Sequence, residues 1–299
     1  MKVIITGSHG LIGSALYERL GKNNYSLIRL VRNKDQQNTQ DIFWNPSRGE
    51  IEAAKIENSD AIVHLAGENL FGFWTAEKKT KIYNSRIEST RLLAETLLSL
   101  TNPPRIFLSA SAAGYYGDRG DEIITDEAPQ GKGFLPVLCQ DWEGAALPLE
   151  KHGFRVVFLR SGILITPKGG ALKLMLKPFK AGLGGYVGDG GQFISWISLE
   201  DEIAAIQHIL ENDELQGPFN MATPNPVTNK EFAKTIGQVI NRPVLFPVPA
   251  KALEMFLGDM ADETLLTSIR MHPAKLLKSG FSFQYPELKQ ALESQLRPY

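Results

Sequence analysis

The sequence predicts an α/β fold: a doubly wound parallel sheet followed by a smaller, mainly helical lobe. Three observations carry this. Short apolar runs alternate with amphipathic segments over about the first half of the chain, which implies right-handed βαβ units. The runs are nearly continuous in apolar residues, as strands are when both faces are covered. A glycine-rich turn, Gly7-Ser-His-Gly10-Leu-Ile-Gly13, joins the first run to the first helix, the connection that a Rossmann-type sheet uses.

The elements follow in order. Val3 to Thr6 reads as a buried strand, and the helix after Gly13 runs to about Lys22. Ser26 to Val31 is the second strand, and Asp41 to Trp44 is a short third one before the Asn45 to Gly49 turn. Ala61 to Leu65 is the next strand. A long helix spans roughly Ala76 to Leu100 and is stopped by Pro103-Pro104. Arg105 to Ala110 is a strand, Phe134 to Lys151 a helix and Arg155 to Arg160 a strand. Beyond Thr166 the alternation loosens. Lys168 to Gly191 reads as a mobile substrate-side loop with a helix inside it, Ala171 to Lys180. Phe193 to Ile197 and Pro218 to Met221 are short strands flanking a helix from Leu199, capped by Ser198. Helices are expected at Asn229 to Ile240, Ala250 to Leu257, Glu263 to Ser268 and Pro273 to Lys278. The expected partition is a nucleotide-binding domain over 1–225, with a substrate-side insertion at about 167–192, and a helical lobe over 226–299.

Composition narrows the function classes. With 32 basic and 33 acidic residues the net charge is -1, so nothing points to nucleic acid. The lone Cys139 allows no internal disulfide, and no His/Cys/Asp/Glu cluster has metal-ligand spacing, so no metal is expected. The first strand starts at residue 2 and no apolar run approaches the length of a membrane span. A cytoplasmic protein acting on a small molecule is the expectation.

The glycine turn carries the first functional reading. Gly7 allows a tight exit from the strand, Gly10 lets a phosphate approach the backbone, and Gly13 lets the helix pack on the sheet. The helix N-terminus offers free N–H groups to a pyrophosphate. Gly7, Ser8, His9, Gly10, Leu11 and Ile12 are therefore the expected phosphate loop. Ligands in such sheets sit at the carboxyl ends of the strands. That adds Arg32, then Leu65, Ala66, Gly67 and Glu68, then Ser109 to Ser111, then Ser161, Gly162 and Ile163. Arg32 follows the second strand directly and favours a 2′-phosphate, hence NADP; Asp35, three residues on, is the residue that would favour NAD.

These residues resemble an extended short-chain dehydrogenase/reductase: Thr6-Gly7-x-x-Gly10-x-x-Gly13, His64-Leu-Ala-Gly67, and Ser109-Ala-Ser111 after a strand. The closer resemblance is to an atypical branch, the epimerase family proteins (NAD-dependent epimerase/dehydratase-like) with their own C-terminal domain. It rests on Leu65-Ala-Gly-Glu-Asn69, Ser85-Arg86-Ile87 with Ser89-Thr90, Ala113-Gly-Tyr-Tyr-Gly117, Asp141-Trp142-Glu143, Leu159-Arg-Ser-Gly162, Phe193-Ile-Ser-Trp-Ile197, Pro247-Val-Pro-Ala250 and Pro273-x-x-Leu276-x-x-x-Gly280-Phe281. The resemblance spans nearly the whole chain. It implies the fold and a bound NADP(H), and it brings no known substrate with it. It leaves open a homodimer through the two long helices.

The resemblance also shows a departure. Short-chain dehydrogenases move the proton with a Tyr-x-x-x-Lys pair on the helix after the serine strand. There the lysine lowers the tyrosine pKa and holds the ribose. By spacing, the tyrosine would fall near Leu138 or Cys139 and the lysine near Trp142 or Glu143; neither is present. Arg86 stands where a supporting asparagine is expected, and could meet a substrate anion or Glu68. Cys139 reads as a small apolar group. Trp142 and Glu143 read either as ribose contacts or as a core tryptophan with a surface glutamate. Ser111 remains the candidate to position the substrate oxygen, and Tyr116, or a water, the candidate acid. His64 reads as a satisfied core histidine. Asp189, Gln192 and Trp196 are expected to line the substrate side. Two functions fit: an NADP-dependent oxidoreductase or epimerase on a small carbonyl or sugar-like substrate, or a catalytically silent NADP(H)-binding redox sensor or regulator.

Overall fold

The computed structural model describes residues 1–33, 38–245 and 247–296. The first half of the chain supplies β1 (Lys2–Thr6), α1 (Leu11–Lys22), β2 (Ser26–Val31), β3 (Ile42–Asn45), β4 (Glu50–Ile51), β5 (Ala61–His64), α2 (Ala76–Ser99), β6 (Ile106–Ala112), β7 (Ile123–Ile124), α3 (Phe134–Gly144) and α4 (Leu147–Lys151). The second half supplies β8 (Arg155–Ser161), β9 (Ile163–Ile165), α5 (Gly170–Lys180), β10 (Phe193–Ile194), β11 (Trp196–Ser198), α6 (Leu199–Glu211), β12 (Gly217–Met221), β13 (Val227–Thr228), α7 (Asn229–Val239), α8 (Ala250–Leu257), β14 (Arg270–Met271), α9 (Ala274–Lys278) and α10 (Leu288–Leu296).

Eight strands form the main sheet in the order β12-β8-β6-β5-β1-β2-β3-β4. All neighbours are parallel except β3 and β4. The strand order reverses between β1 and β5, which opens a crevice above their carboxyl ends. Alternation sends Val3, Ile5, Val63, Leu108, Val157 and Leu159 into one core with Leu16 and Leu20 of α1 and Ile203 and Ile206 of α6. The intervening Ile4, Ile62, Phe107 and Phe158 meet Leu93 and Leu97 of α2 and Leu149 of α4. Each fully buried aliphatic contributes on the order of 1.5–3 kcal/mol.

A second core lies at the carboxyl side of the sheet. Ile165, Leu172, Leu176, Phe179 and Trp196 pack with Phe232 and Ile236 of α7 and Leu292 of α10. The segment read from sequence as an insertion thus shares its core with the C-terminal helices. Its amino-terminal end also differs from the expectation of a substrate-side loop. Lys168 and Gly169 line a cleft of about 400 Å³ together with His9, Gly10 and Leu11, so this end closes over the glycine turn.

Three further differences have local causes. The single helix expected over Phe134 to Lys151 is two, because Pro148 cannot donate to a preceding turn and instead occupies the first turn of α4. The expected helix at Glu263 to Ser268 is a π-type turn over Ala261–Leu265. The helix α10 and the short strands β4, β7, β9, β13 and β14 lacked a readable period, being short or set among prolines and glycines.

Candidate functional site

The phosphate end is built from backbone. Gly7 has φ of 62°, and a Cβ there would lie 2.7 Å from the Leu65 carbonyl oxygen. A Cβ on Gly13 would lie 2.3 Å from the Gly7 carbonyl oxygen, so only glycine lets α1 start this close to the strand exit. The starts of α2, α3, α6 and α7 are closed by side chains, whereas α4, α5, α8 and α9, like α1, have no side-chain cap. Thr75 accepts from Lys78 N on α2, Ser198 from Asp201 N on α6 and Thr228 from Glu231 N on α7. The first amides of α3 donate to the Glu263 carboxylate, 2.8 and 3.0 Å away. The N-cap of α1 is Gly10, with no side-chain cap. Next to it the Ser8 hydroxyl is buried without a partner among the described residues. Open amides at a positive helix end and a spare hydroxyl fit the oxygens of a pyrophosphate. His9 and Gly10 are exposed, and Leu11 and Ile12 half-buried, along this turn.

The neighbouring loop is fixed from below. The Thr6 hydroxyl oxygen accepts from Leu65 N and Ala66 N at 3.0 and 3.1 Å. Its proton points to His64 Nδ1, 2.8 Å away. On the other side of the ring, the Ser89 and Thr90 hydroxyls donate to carbonyls of their own helix. His64 Nε2 therefore carries the hydrogen and donates to them. Burial, with the Arg86 charge adding, pushes the His64 pKa down to about 3. His64 is a neutral core histidine, as its place in the strand suggested. It holds Thr6, and Thr6 holds the half-buried Leu65 and Ala66. Beyond them Gly67 is exposed, and Glu68 is paired with Lys78 at 2.8 Å. That bond, with further pull from Arg32 and Arg86, keeps the Glu68 carboxyl below its ordinary range. Arg32 is exposed just past β2. Asp35, the residue favouring NAD, lies outside the described residues.

The other end is built from buried charge. Ser111 on β6 and Arg160 on β8 are register partners and share a face. Ser111 donates to Glu143 Oε1 at 2.7 Å; Arg160 grips both Glu143 oxygens at 2.8 and 2.7 Å. Arg160 Nη1 also donates to the Tyr116 hydroxyl, which donates to Asn220 Oδ1 at 2.6 Å. Asn220 in turn donates to the carbonyls of Ile124 and His272. The Tyr115 ring covers the guanidinium, its centroid 3.5 Å from Cζ. Burial opposes the charge on Arg160, yet Glu143 holds its pKa above the ordinary range. Ser111, Tyr116, Glu143 and Arg160 are all buried. On the opposite face of β8 the half-buried Ser161 donates to Glu202 Oε1 at 2.6 Å. Glu202 is fully buried and its Oε2 has no partner among the described residues. Burial raises its pKa to about 7, against the pull of Ser161.

The chain as a whole is similar to known proteins. The NAD dependent epimerase/dehydratase family model matches residues 3–222. The chain belongs to that family. A domain of unknown function, DUF1731, matches residues 248–295. An epimerase family protein of Mycobacterium leprae is 40% identical over 291 residues, 97% of this chain and 94% of that one. A human epimerase family protein, crystallised with NADPH, superposes with a TM-score of 0.91 at 31% identity, covering 100% of both chains. A nucleoside-diphosphate sugar epimerase from Corynebacterium glutamicum gives a TM-score of 0.83 at 34% identity over 99% of this chain and 58% of that one.

Within this family frame the expected residues fall into two sets. Gly7 to Ile12, Arg32, Leu65 to Glu68, and Ser161, Gly162 and Ile163 lie at or just past the carboxyl ends of β1, β2, β5 and β8. Ser109 does not reach the crevice: its side chain is fully buried one pleat below Ser111. Tyr116 is also withdrawn. Its hydroxyl is consumed between Arg160 and Asn220, and burial pushes its pKa up to about 12, so it anchors the fold and presents no acid to the crevice. Glu143 is neither a ribose contact nor a surface residue but the hub of a buried ion pair. Burial pushes the Cys139 thiol up to about 12, in keeping with its reading as a small apolar group. Trp196 is a core residue whose Nε1 donates to Asn225 O, and the Gln192 amide is spent on the carbonyls of Val187 and Leu265. Asp189 turns back on its own loop, accepting from Gly191 N. Among the described residues no group of three metal-ligating side chains comes together. No helix among them is long and apolar enough to cross a membrane. The sequence reading missed Glu202 and Arg160. The signal for Arg160 was a charge inside an apolar strand; for Glu202, an acid on the apolar face of its helix.

Proposed function

We propose that this chain binds NADP(H) and acts as an oxidoreductase or epimerase-like enzyme on a small carbonyl or sugar-like substrate, without the Tyr-x-x-x-Lys pair. The open N-terminus of α1 over Gly7 to Gly13, with the partnerless Ser8 hydroxyl, carries the cofactor half of this reading. Its similarity to a human protein crystallised with NADPH supports the same half. Arg32 sits where a 2′-phosphate would be met.

Bound NADP(H) supplies or takes up a hydride. The chain's own part is to orient the substrate oxygen and move a proton. Ser111 gives its hydrogen to Glu143, which leaves its oxygen free to accept from a substrate hydroxyl. The proton is assigned to Ser161 and Glu202. A carboxylic acid titrating at about 7 suits general acid work near neutral pH. In the reducing direction protonated Glu202 turns its hydrogen to Ser161 Oγ as Ser161 passes its own to the carbonyl oxygen, leaving a Glu202 carboxylate to which Ser161 then donates. The oxidising direction reverses both transfers. The second reading, a silent NADP(H)-binding sensor, draws on a different observation: the hydroxyls of Ser111 and Tyr116 are both engaged inside the fold.

Turnover separates the two. The purified protein, loaded with NADPH, is followed at 340 nm against a panel of carbonyl compounds and sugar nucleotides, with product analysis to catch a redox-neutral epimerisation. The enzyme reading expects substrate-dependent oxidation or an epimerised product. Tight NADPH binding with neither outcome across the panel moves the assignment to the sensor.

A further inference from the structure

Two arginines, Arg160 and Arg86, are buried near the sheet and a third, Arg155, is half-buried; Arg160 and Arg155 are satisfied. Arg160 has the Glu143 carboxylate, the Tyr116 hydroxyl and the Asp126 carbonyl. Arg155 donates to the carbonyls of Ile209, Leu210, Asn212 and Leu215. Arg86 on α2 is 8% exposed and makes one hydrogen bond, from Nη1 to the Ile82 carbonyl of its own helix at 3.1 Å. No carboxylate pairs with it among the described residues; Glu68, whose charge it feels, is held by Lys78. The guanidinium lies over the Trp142 indole, Cζ 5.0 Å from the ring centroid. It also reaches the exposed Gly67, where a Cβ would come within 3.1 Å of Cζ. Trp142 Nε1–H, on the same indole, is buried with no acceptor among the described residues. A buried cation without an anion is costly, as is a buried donor without an acceptor. Here the two defects are neighbours, beside the crevice floor. Through Cys139, which contacts Ser111 and feels the Arg86 charge, they adjoin the residue assigned to the substrate oxygen.

We propose that Arg86 and Trp142 form an oxyanion subsite that takes a carboxylate or phosphate carried by the substrate. The proposal rests on the reading that Ser111, at the end of β6, orients the substrate oxygen, and it narrows that substrate to an acidic one. The cofactor's own anionic groups have other donors: the α1 amides and Ser8 for the pyrophosphate, Arg32 for the 2′-phosphate. A planar guanidinium with free Nε and Nη2 matches a carboxylate or phosphate edge, and the indole N–H adds a directional third donor.

The test reads the indole directly. Protein labelled with ¹⁵N and saturated with NADPH is titrated with acetate, inorganic phosphate and, as the neutral control, acetamide. The Trp142 Nε1–H resonance is assigned with Trp142→Phe. A saturable shift with acetate or phosphate, absent with acetamide, is expected. Arg86→Met should weaken that anion binding at least about tenfold and change NADPH affinity by less than about twofold, with Arg86→Lys in between. Absence of a saturable shift with either oxyanion in the unmodified protein overturns the proposal, whatever the variants do. An equal loss of NADPH affinity in Arg86→Met overturns it too, assigning the guanidinium to a cofactor phosphate. Neither readout needs turnover, so failure here is distinct from failure of the enzyme reading.

Discussion

The two ends of the crevice are built on opposite principles. At the phosphate end, side chains are removed: three glycines bring the backbone to the surface, and Gly10 at the head of α1 supplies no side-chain cap. At the chemical end, charge is packed inward: Ser111, Glu143, Arg160, Tyr116 and Asn220 form a chain of buried polar groups spanning β6 and the turn after it, α3, β8 and β12. A backbone site recognises a phosphate by geometry and is indifferent to the rest of the molecule attached to it. A buried ionic network tolerates no loss, because each member left alone keeps its desolvation cost. The first end should therefore respond to substitution in binding, the second in stability.

The largest expected effect is on the second end. Glu143→Leu removes the carboxylate and strands the Arg160 guanidinium, which is 3% exposed. Urea unfolding should show a loss of about 3–5 kcal/mol, and Arg160→Met in the same chain should restore a large part of it. A cost within about 0.5 kcal/mol for the single change would mean that the network is wet and weak, and the contrast between the ends would dissolve.

The next effect is a dependence on pH. The folded-state pKa of Glu202 is raised from 4.5 to about 7 by burial, so the folded protein keeps a proton that the unfolded chain releases. The stability from this group is fully present below pH 4.5 and is lost as pH rises through about 7. The loss amounts to roughly 2–3 kcal/mol. Glu202→Gln keeps an oxygen for the Ser161 hydroxyl and cannot ionise. Unfolding free energies at pH 5 and pH 8 should differ by that amount more in the unmodified protein than in the variant. Equal differences would show that Glu202 is already ionised at pH 5, and would remove the acid assigned to the reaction.

The same contrast explains what could be read in advance. The glycine turn was legible because each of its residues does a job that only backbone can do, so the residue type and the role coincide. His64 was legible for a related reason: a histidine inside an apolar strand has few options other than an internal hydrogen bond. Glu143 and Tyr116 were not, because a glutamate or tyrosine next to a predicted pocket looks the same whether it faces the ligand or a distant partner. Arg160 lies 17 residues from Glu143 in sequence, and Asn220 lies 104 from Tyr116. Pairings at such separations are set by the sheet order, which periodicity does not give. The shared core of α5, α7 and α10 escaped for the same reason.

The smallest effect belongs to the phosphate end and probes it alone. Arg32 is exposed past β2, and its charge reaches Glu68 across the crevice mouth. An exposed arginine meeting a 2′-phosphate contributes one charge-assisted contact, screened by salt. Arg32→Asp removes that contact and sets a carboxylate against the phosphate, while offering an acceptor to the 2′-hydroxyl of NADH. NADPH affinity should fall about tenfold to a hundredfold, NADH affinity should hold or rise, and melting without cofactor should be unchanged. The NADPH loss should shrink as salt is raised. Equal losses for both cofactors would place Arg32 away from the ribose and leave the preference for NADP without a residue behind it.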